Sequence, residues 1–529
     1  MGYPDHLFRN ISSRVFFGAG LVLLLAVGFP IPYAFASPPP VPAGLPPGEW
    51  DHLIITDESL VSAFTPLVRH RHDQGLRSRI VTTRDLGGWS TRAELREAIR
   101  GFVAEAAGQW GTRYILLGGD AEIIPVPLGF YESFNLSWDI PLDLYYAAPN
   151  GEWDLDGDGI LGEYEDDDPD LTPVVALGRA PVANPAEARA FVDKVVAFEK
   201  GSDPANVDVL LAAEVGSPYP WTPGMPVGVD LAWMMEDVAD ILVGLAAIGD
   251  IQRLYQNWEG TPGAEPLSPA SFLEAMRTGR HRFSGLLIHG IADTWSLGSG
   301  FLQPDQLVDL AGMDHALFMV GGAPEGADWR VEGVLESLLT MPVGGCVGGL
   351  TPSATYFLMP VNQFCEGFWS GMVEGVQTRV GDVYRQNLEA QLQTPYGQSA
   401  SGQATLQCLA VSGDPALLFW PGDPGGLNPN RQVANTFTAT ASPNPFNPAT
   451  EISFVVPGET GTRHTTVVEI FDLAGRRLTR ILEADLASGP HSVQWRGRDD
   501  IGRQVGSGLF FARIRAGDAQ AVVKLVLVE

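Results

Sequence analysis

At 529 residues the chain has room for more than one domain. Hydrophobic residues make up 45% and charged residues 18%, which excludes an intrinsically disordered chain, and three cysteines exclude a disulfide-stapled scaffold. Against 63 Asp and Glu stand 33 Lys and Arg; the formal net charge of −30 excludes the basic footprint of a nucleic-acid binder and disfavours adhesion to anionic lipid.

Residues 1–36 read as an export signal. Arg9 and Arg14 precede an apolar run that includes Leu21 to Leu25, and Ala34-Phe35-Ala36 supplies the small residues of a cleavage site before Ser37. Pro30 and Pro32 interrupt the span, which disfavours a retained anchor. No other segment is apolar for long enough to cross a bilayer, so the mature chain is expected to carry no transmembrane segment. A proline-rich linker follows at 37–49, and its brevity leaves little room for an inhibitory prosegment. A second linker, 423–437, is rich in Gly, Pro and Asn. The expected units are therefore 50–422 and 438–529.

In the larger unit, short apolar runs alternate with segments of helical period. Residues 53–55 read as a strand, 60–72 as a helix and 80–82 as the next strand. Leu95, Ile99, Phe102, Val103 and Ala106 then share one helical face. Further strands are expected at 114–117, 174–177, 209–212, 285–288, 317–320 and 345–349. Strands buried on both faces and separated by helices predict an α/β unit with a mainly parallel sheet, with its site at the carboxyl ends of the strands. His289 directly follows one of those strands.

Between these elements, Asp154-Leu155-Asp156-Gly157-Asp158-Gly159 with Glu165 satisfies the D-x-D-x-D-G-x5-E pattern of a calcium loop. A hard cation wants hard oxygen donors: the carboxylates of Asp154, Asp156 and Asp158, the Ile160 carbonyl, and Glu165 to close the shell. Asn150-Gly151 breaks any entering helix, so a complete helix–loop–helix hand is not expected. A solvated acidic loop is the alternative.

The last ~90 residues open with Ser442-Pro443-Asn444-Pro445-Phe446-Asn447-Pro448. Alternating runs at 451–456, 466–471, 491–495, 508–514 and 521–528, with turn signals between them, predict an antiparallel β-sandwich.

Several segments of the larger unit, in order, resemble the gingipain-type cysteine peptidases, whose catalytic domain has a caspase-like fold. These are His52 to Thr56, Tyr114 to Pro125 (YILLGGDAEIIP), Asp143-Leu144-Tyr145-Tyr146, Gly178-Arg179-Ala180-Pro181-Val182, His289-Gly290 with Trp295, and Gly413-Asp414-Pro415-Ala416. The C-terminal unit resembles the Ig-like modules that carry type IX secretion sorting signals, related to flagellar hook-cap Ig domains. That likeness rests on the S-P-N-P-F-N-P opening, Phe471 to Arg476, Trp495 to Asp500 and Ser507 to Phe511. The resemblances imply proteolysis, a structural calcium ion, export through outer-membrane secretion machinery, and a secreted or bacterial cell-surface location.

Such a peptidase needs a thiolate to attack the carbonyl, a histidine to move the proton and N–H donors for the oxyanion. The histidine maps onto His289. The cysteine is expected at the end of the next core strand, which here reads Phe318-Met319-Val320-Gly321-Gly322-Ala323-Pro324-Glu325-Gly326 and contains no sulfur nucleophile. Ala323 occupies the position, with Gly322 as the alternative. The expectation is a pseudopeptidase whose cleft binds a peptide or protein. One competing reading is an active peptidase with a relocated nucleophile at Cys346; another is a calcium-stabilised surface binding protein. Cys346 itself falls in a strand, where a buried cysteine usually serves as a small hydrophobe. Cys365 and Cys408 fall in helices and suit core packing or one disulfide. The acid that orients the histidine is left open among Glu132, Asp139 and Asp143.

Overall fold

The computed structural model describes residues 49–420 and 439–527, except 134–135, 165, 202–206, 244–247, 279–280, 311–312, 314, 375–377, 445, 457, 459–460, 473–476, 507 and 518. The export signal at 1–36, the linker at 423–437 and all but Glu49 of the first linker lie outside the described residues.

Eleven strands form the central sheet: β1 (His52–Thr56), β2 (Ser78–Thr82), β3 (Tyr114–Gly118), β4 (Ala176–Ala180), β5 (Val207–Ala213), β6 (Ile248–Tyr255), β7 (Ala264–Pro266), β8 (His281–Leu287), β9 (Leu317–Gly322), β10 (Cys346–Pro352) and β11 (Leu409–Gly413). Their order is β7-β6-β5-β8-β9-β10-β11-β4-β3-β1-β2. The sheet is mainly parallel; β11 runs antiparallel to β10. Burial explains the composition of the strands. β1 and β3 are buried at every position and read as unbroken apolar runs, because helices cover both faces.

The helices flanking the sheet include α1 (Val61–Asp73), α2 (Arg92–Trp110), α3 (Pro185–Lys200), α4 (Ala232–Val243), α5 (Pro269–Arg277), α6 (Val334–Thr340), α7 (Leu358–Glu374), α8 (Val380–Leu392) and α9 (Ala400–Cys408). Local chemistry sets their ends. Thr91 and Glu94 form a reciprocal capping box on α2, which stops at Gly111 in a left-handed conformation. The face predicted for α2 is the buried one, joined by Trp110. Asn184 caps α3, with Pro185 in its first turn.

Seven further strands follow in the C-terminal part: β12 (Ala439–Ser442), β13 (Thr450–Val456), β14 (Arg463–Asp472), β15 (Arg477–Ala487), β16 (Gly489–Trp495), β17 (Gly508–Ala516) and β18 (Ala519–Leu527). They make two antiparallel sheets, β12-β13-β16 and β15-β14-β17-β18. Ile452, Phe454, Val468, Ile470, Trp495, Phe510, Ala512 and Ile514 lie in one core between the sheets. The described residues belong to a single compact unit. Among the described residues no helix is long and apolar enough to cross a membrane.

Candidate functional site

Three neighbouring parallel strands end at the same level. Ala213 of β5, Leu287 of β8 and Gly322 of β9 stand opposite one another in register. The residues that follow, Glu214, His289 and Ala323, therefore emerge together at the carboxyl edge of the sheet.

His289 is held from two sides. Its backbone N–H and its ring Nδ1 both donate to Glu214 Oε2, each at 2.9 Å. The other oxygen, Oε1, accepts from Ser296 Oγ and from the Gly298 N–H, both at 2.7 Å. Burial alone would push the Glu214 carboxyl up; the hydrogen bonds from His289, Ser296 and Gly298 outweigh it and hold the group below the usual carboxylate range. The fixed carboxylate makes Nδ1 the donor and leaves Nε2 as the nitrogen that Glu214 does not engage. The imidazole is 26% exposed, and Tyr219 stacks on it with ring centroids 4.0 Å apart.

Next to the histidine the chain must be glycine. Gly290 has φ +145°, and a side chain there would meet the Ala323 methyl at 3.1 Å. Ala323 is wholly buried beside this loop. Gly322 has φ +135°, and a Cβ on it would come within 2.9 Å of Thr351. A cysteine would be strained at 322 in a way it is not at 323. Glu325 follows with φ +62°, the single non-glycine positive φ among the described residues.

None of the acids expected to orient the histidine is the one that holds it. Asp143 is buried against Arg179, which donates to it at 2.7 and 2.6 Å and also ties down the carbonyls of Gly119, Ile124 and Pro125. Asp139 pairs with Arg330 at 3.3 Å. Glu132 is exposed on a hairpin strand. The carboxylate on the histidine is Glu214, which sequence reasoning missed, and Ser296 is part of its support. The available signal was an acid directly after the apolar run of β5.

Cys346 does not reach His289. It opens β10 opposite Leu317, the first residue of β9, whereas Ala323 follows the last. Roughly 20 Å of strand lies between the two ends. Burial pushes the Cys346 thiol up to about 12, so it carries almost no thiolate. Cys365 in α7 and Cys408 in α9 are also buried and free, so the disulfide considered for them is not formed. An apolar pocket of about 380 Å³, lined by Leu307, Val308, Met341 and Val343 among others, contains none of the histidine group.

In the acidic loop, carboxylate oxygens of Asp154, Asp156 and Asp158 lie within 4.8 Å of one another and are exposed. Asp167 clamps the loop, accepting from the N–H groups of Leu155 and Glu163 at 2.6 and 3.0 Å. The Ile160 N–H donates to Asp158 at 2.8 Å. Three hard oxygen donors at this spacing fit a calcium ion. Glu165, expected to close the shell, lies outside the described residues.

A mainly parallel α/β sheet with a carboxylate-held histidine at its carboxyl edge defines the class of the caspase-like, gingipain-type cysteine peptidases. The profile of peptidase family C25 matches residues 46–420, about seven tenths of the chain, and the chain belongs to that family. Among solved structures it is similar to the Arg-specific cysteine proteinase gingipain R (RgpB), at 15% identity and a TM-score of 0.54, over 91% of this chain and 98% of that one. It is likewise similar to a chain of the complex of Porphyromonas gingivalis RgpB pro- and mature domains, at 15% identity and a TM-score of 0.53, over 90% and 100% of the two chains. These likenesses establish the fold. No curated protein matches the chain by sequence.

Proposed function

We propose that this member of a peptidase family is a pseudopeptidase, which holds a peptide or protein segment at the carboxyl edge of the sheet without cleaving it. The observation that carries the reading is Ala323. It follows the strand end next to His289, where the family's chemistry needs a thiolate, and offers a methyl group. The histidine and its carboxylate remain aligned, so the edge keeps the geometry for orienting a polar ligand and loses the group that would attack it. Calcium is assigned to Asp154, Asp156 and Asp158, with the Ile160 carbonyl and Glu165 completing the shell; the ion would neutralise the clustered acids and fix the loop. The C-terminal sandwich is assigned as an Ig-like sorting module for outer-membrane secretion machinery, which makes the protein a secreted or surface one.

The test is hydrolysis of a diverse peptide library by the mature protein, with calcium and reductant, beside His289→Ala and Cys346→Ala. No turnover above background in folded protein supports the reading. Turnover that His289→Ala abolishes would overturn it. Calcium is tested separately by titration calorimetry on the wild type and on Asp156→Asn, which is expected to weaken binding at least tenfold.

A further inference from the structure

The two faces of the four-stranded C-terminal sheet have different neighbours. On β14 and β17, Val468, Ile470, Ala512 and Ile514 point into the sandwich core. The alternate residues form cross-strand pairs on the opposite face: Phe471 against Phe511 and Glu469 against Arg513. In a free sandwich that outer face would meet water. Here Phe471, Phe511, Glu469 and Arg513 are all buried, because the α/β part covers them.

The covering surface is specific. Trp233 of α4 stacks on Phe471 with ring centroids 5.4 Å apart, and Tyr396 packs on Phe511 at 4.8 Å. The Arg513 guanidinium lies 4.8 Å from the centroids of both Trp233 and Phe471, against the stacked pair. Its edge pairs with Asp237 of α4 and, at 2.9 Å, with Glu469. Arg515 adds a second pair to Asp237 at 3.0 Å. Charge, stacking and apolar burial thus coincide on one patch, and separation would expose Trp233 and Tyr396 on one side and Phe471 and Phe511 on the other, and would strip Asp237 of Arg513 and Arg515.

We infer that the C-terminal sandwich is a permanent, non-covalently docked partner of the α/β part, so that cutting the connecting segment leaves a two-chain complex and does not release the module. Proteolytic processing between the two parts would then nick the protein without dividing it. The docking face is also withdrawn from any other partner, which leaves the smaller sheet, β12-β13-β16, as the side of the module open to secretion machinery.

The experiment uses the full chain with a protease recognition sequence inserted between Gly422 and Asn435. After cleavage, confirmed on a denaturing gel, the protein is passed over a sizing column at low micromolar concentration. Co-elution of both fragments at the volume of the uncut chain is expected; elution as two species overturns the inference. Asp237→Ala in the same chain tests the named contacts. Its cleaved form is expected to release the sandwich at least tenfold faster on dilution. Release no faster than that of the cleaved parent would remove the charged network from the account.

Discussion

The two ends of β9 present the same ingredients of thiol chemistry in opposite states. At its carboxyl end stand a histidine with a fixed carboxylate, a half-open face and no sulfur. At its amino end lies a sulfur, Cys346, sealed from water with its thiol pushed up to about 12. Lys194 lies near it electrostatically; burial pulls its ammonium down to about 7, and its Nζ donates to the Leu338 carbonyl at 2.8 Å. The lesson is that a nucleophile is a place in the fold before it is an element. Strand ends that open onto a loop can host chemistry, whereas the opposite end of the same strand is core.

Placing sulfur at the histidine's end of β9 is the sharpest test of this contrast. Ala323→Cys is expected to gain amide hydrolysis at least ~10²-fold above the parent, since it gives His289 a thiol to activate, and a general base with a group to act on contributes about 10²–10⁴. Turnover of a peptide-anilide library, with and without iodoacetamide, reads it out. A folded variant without turnover would break the assignment of position 323 as the nucleophile's seat.

The next effect concerns the closed end. Arg71, at the end of α1, is fully buried between Glu199 and Asp414, at 2.7 and 2.8 Å, and Asp414 also meets His52, the first residue of β1, at 3.2 Å. Arg71→Ala removes the guanidinium shared by two buried carboxylates, leaving each only a histidine to pair with, and is expected to cost about 3–5 kcal/mol in urea unfolding. A loss below about 1 kcal/mol would mean that this edge is wetter than its burial implies.

Lys194 gives the closed end a pH signature. Its folded pKa, about 7, lies below its ordinary value of 10.5. Between those values the unfolded chain binds more protons, so its contribution to stability rises with pH. From pH 7 to 9 the gain is on the order of 2 kcal/mol, and Lys194→Met should flatten it. Above about pH 9 the raised Cys346 thiol works in the opposite direction. An unchanged slope in Lys194→Met would place the titration elsewhere. The smallest effect is Cys346→Ala, expected to cost about 1 kcal/mol of packing and to leave any turnover of Ala323→Cys unaltered. Loss of that turnover would bring Cys346 back into the chemistry.

Much of the fold was legible because buried parallel strands announce themselves. β1, β3, β5, β8, β9 and β10 are apolar runs, and each was predicted within a few residues. β4 starts at Ala176 rather than Val174, since its register against Tyr114 of β3 fixes the first pair. β6 was not predicted: it lies next to the sheet's edge, and its sequence, Ile-Gly-Asp-Ile-Gln-Arg-Leu-Tyr, is buried only at Leu254 and Tyr255. β15 was hidden for another reason. Leu478, Ile481 and Leu482 have helical spacing, and two register shifts against β14 spoil the alternation that marks a strand. For the site, His289 and Ala323 followed from resemblance and strand ends. Glu214 did not, because it is 75 residues from His289 and comes to it only by the adjacency of β5 and β8. Periodicity reports which face a residue takes; it carries no information about which strands become neighbours.

The tyrosine ring stacked on His289 gives the site a built-in optical and magnetic reporter. Carbon-bound protons of the imidazole lie in the shielding cone of Tyr219 and should resonate upfield of their ordinary positions. Any occupant that displaces the ring would move those lines back and alter the tyrosine's near-ultraviolet dichroism at the same concentration. Occupancy of this edge can thus be followed independently of any turnover, without a label and before its ligand is known.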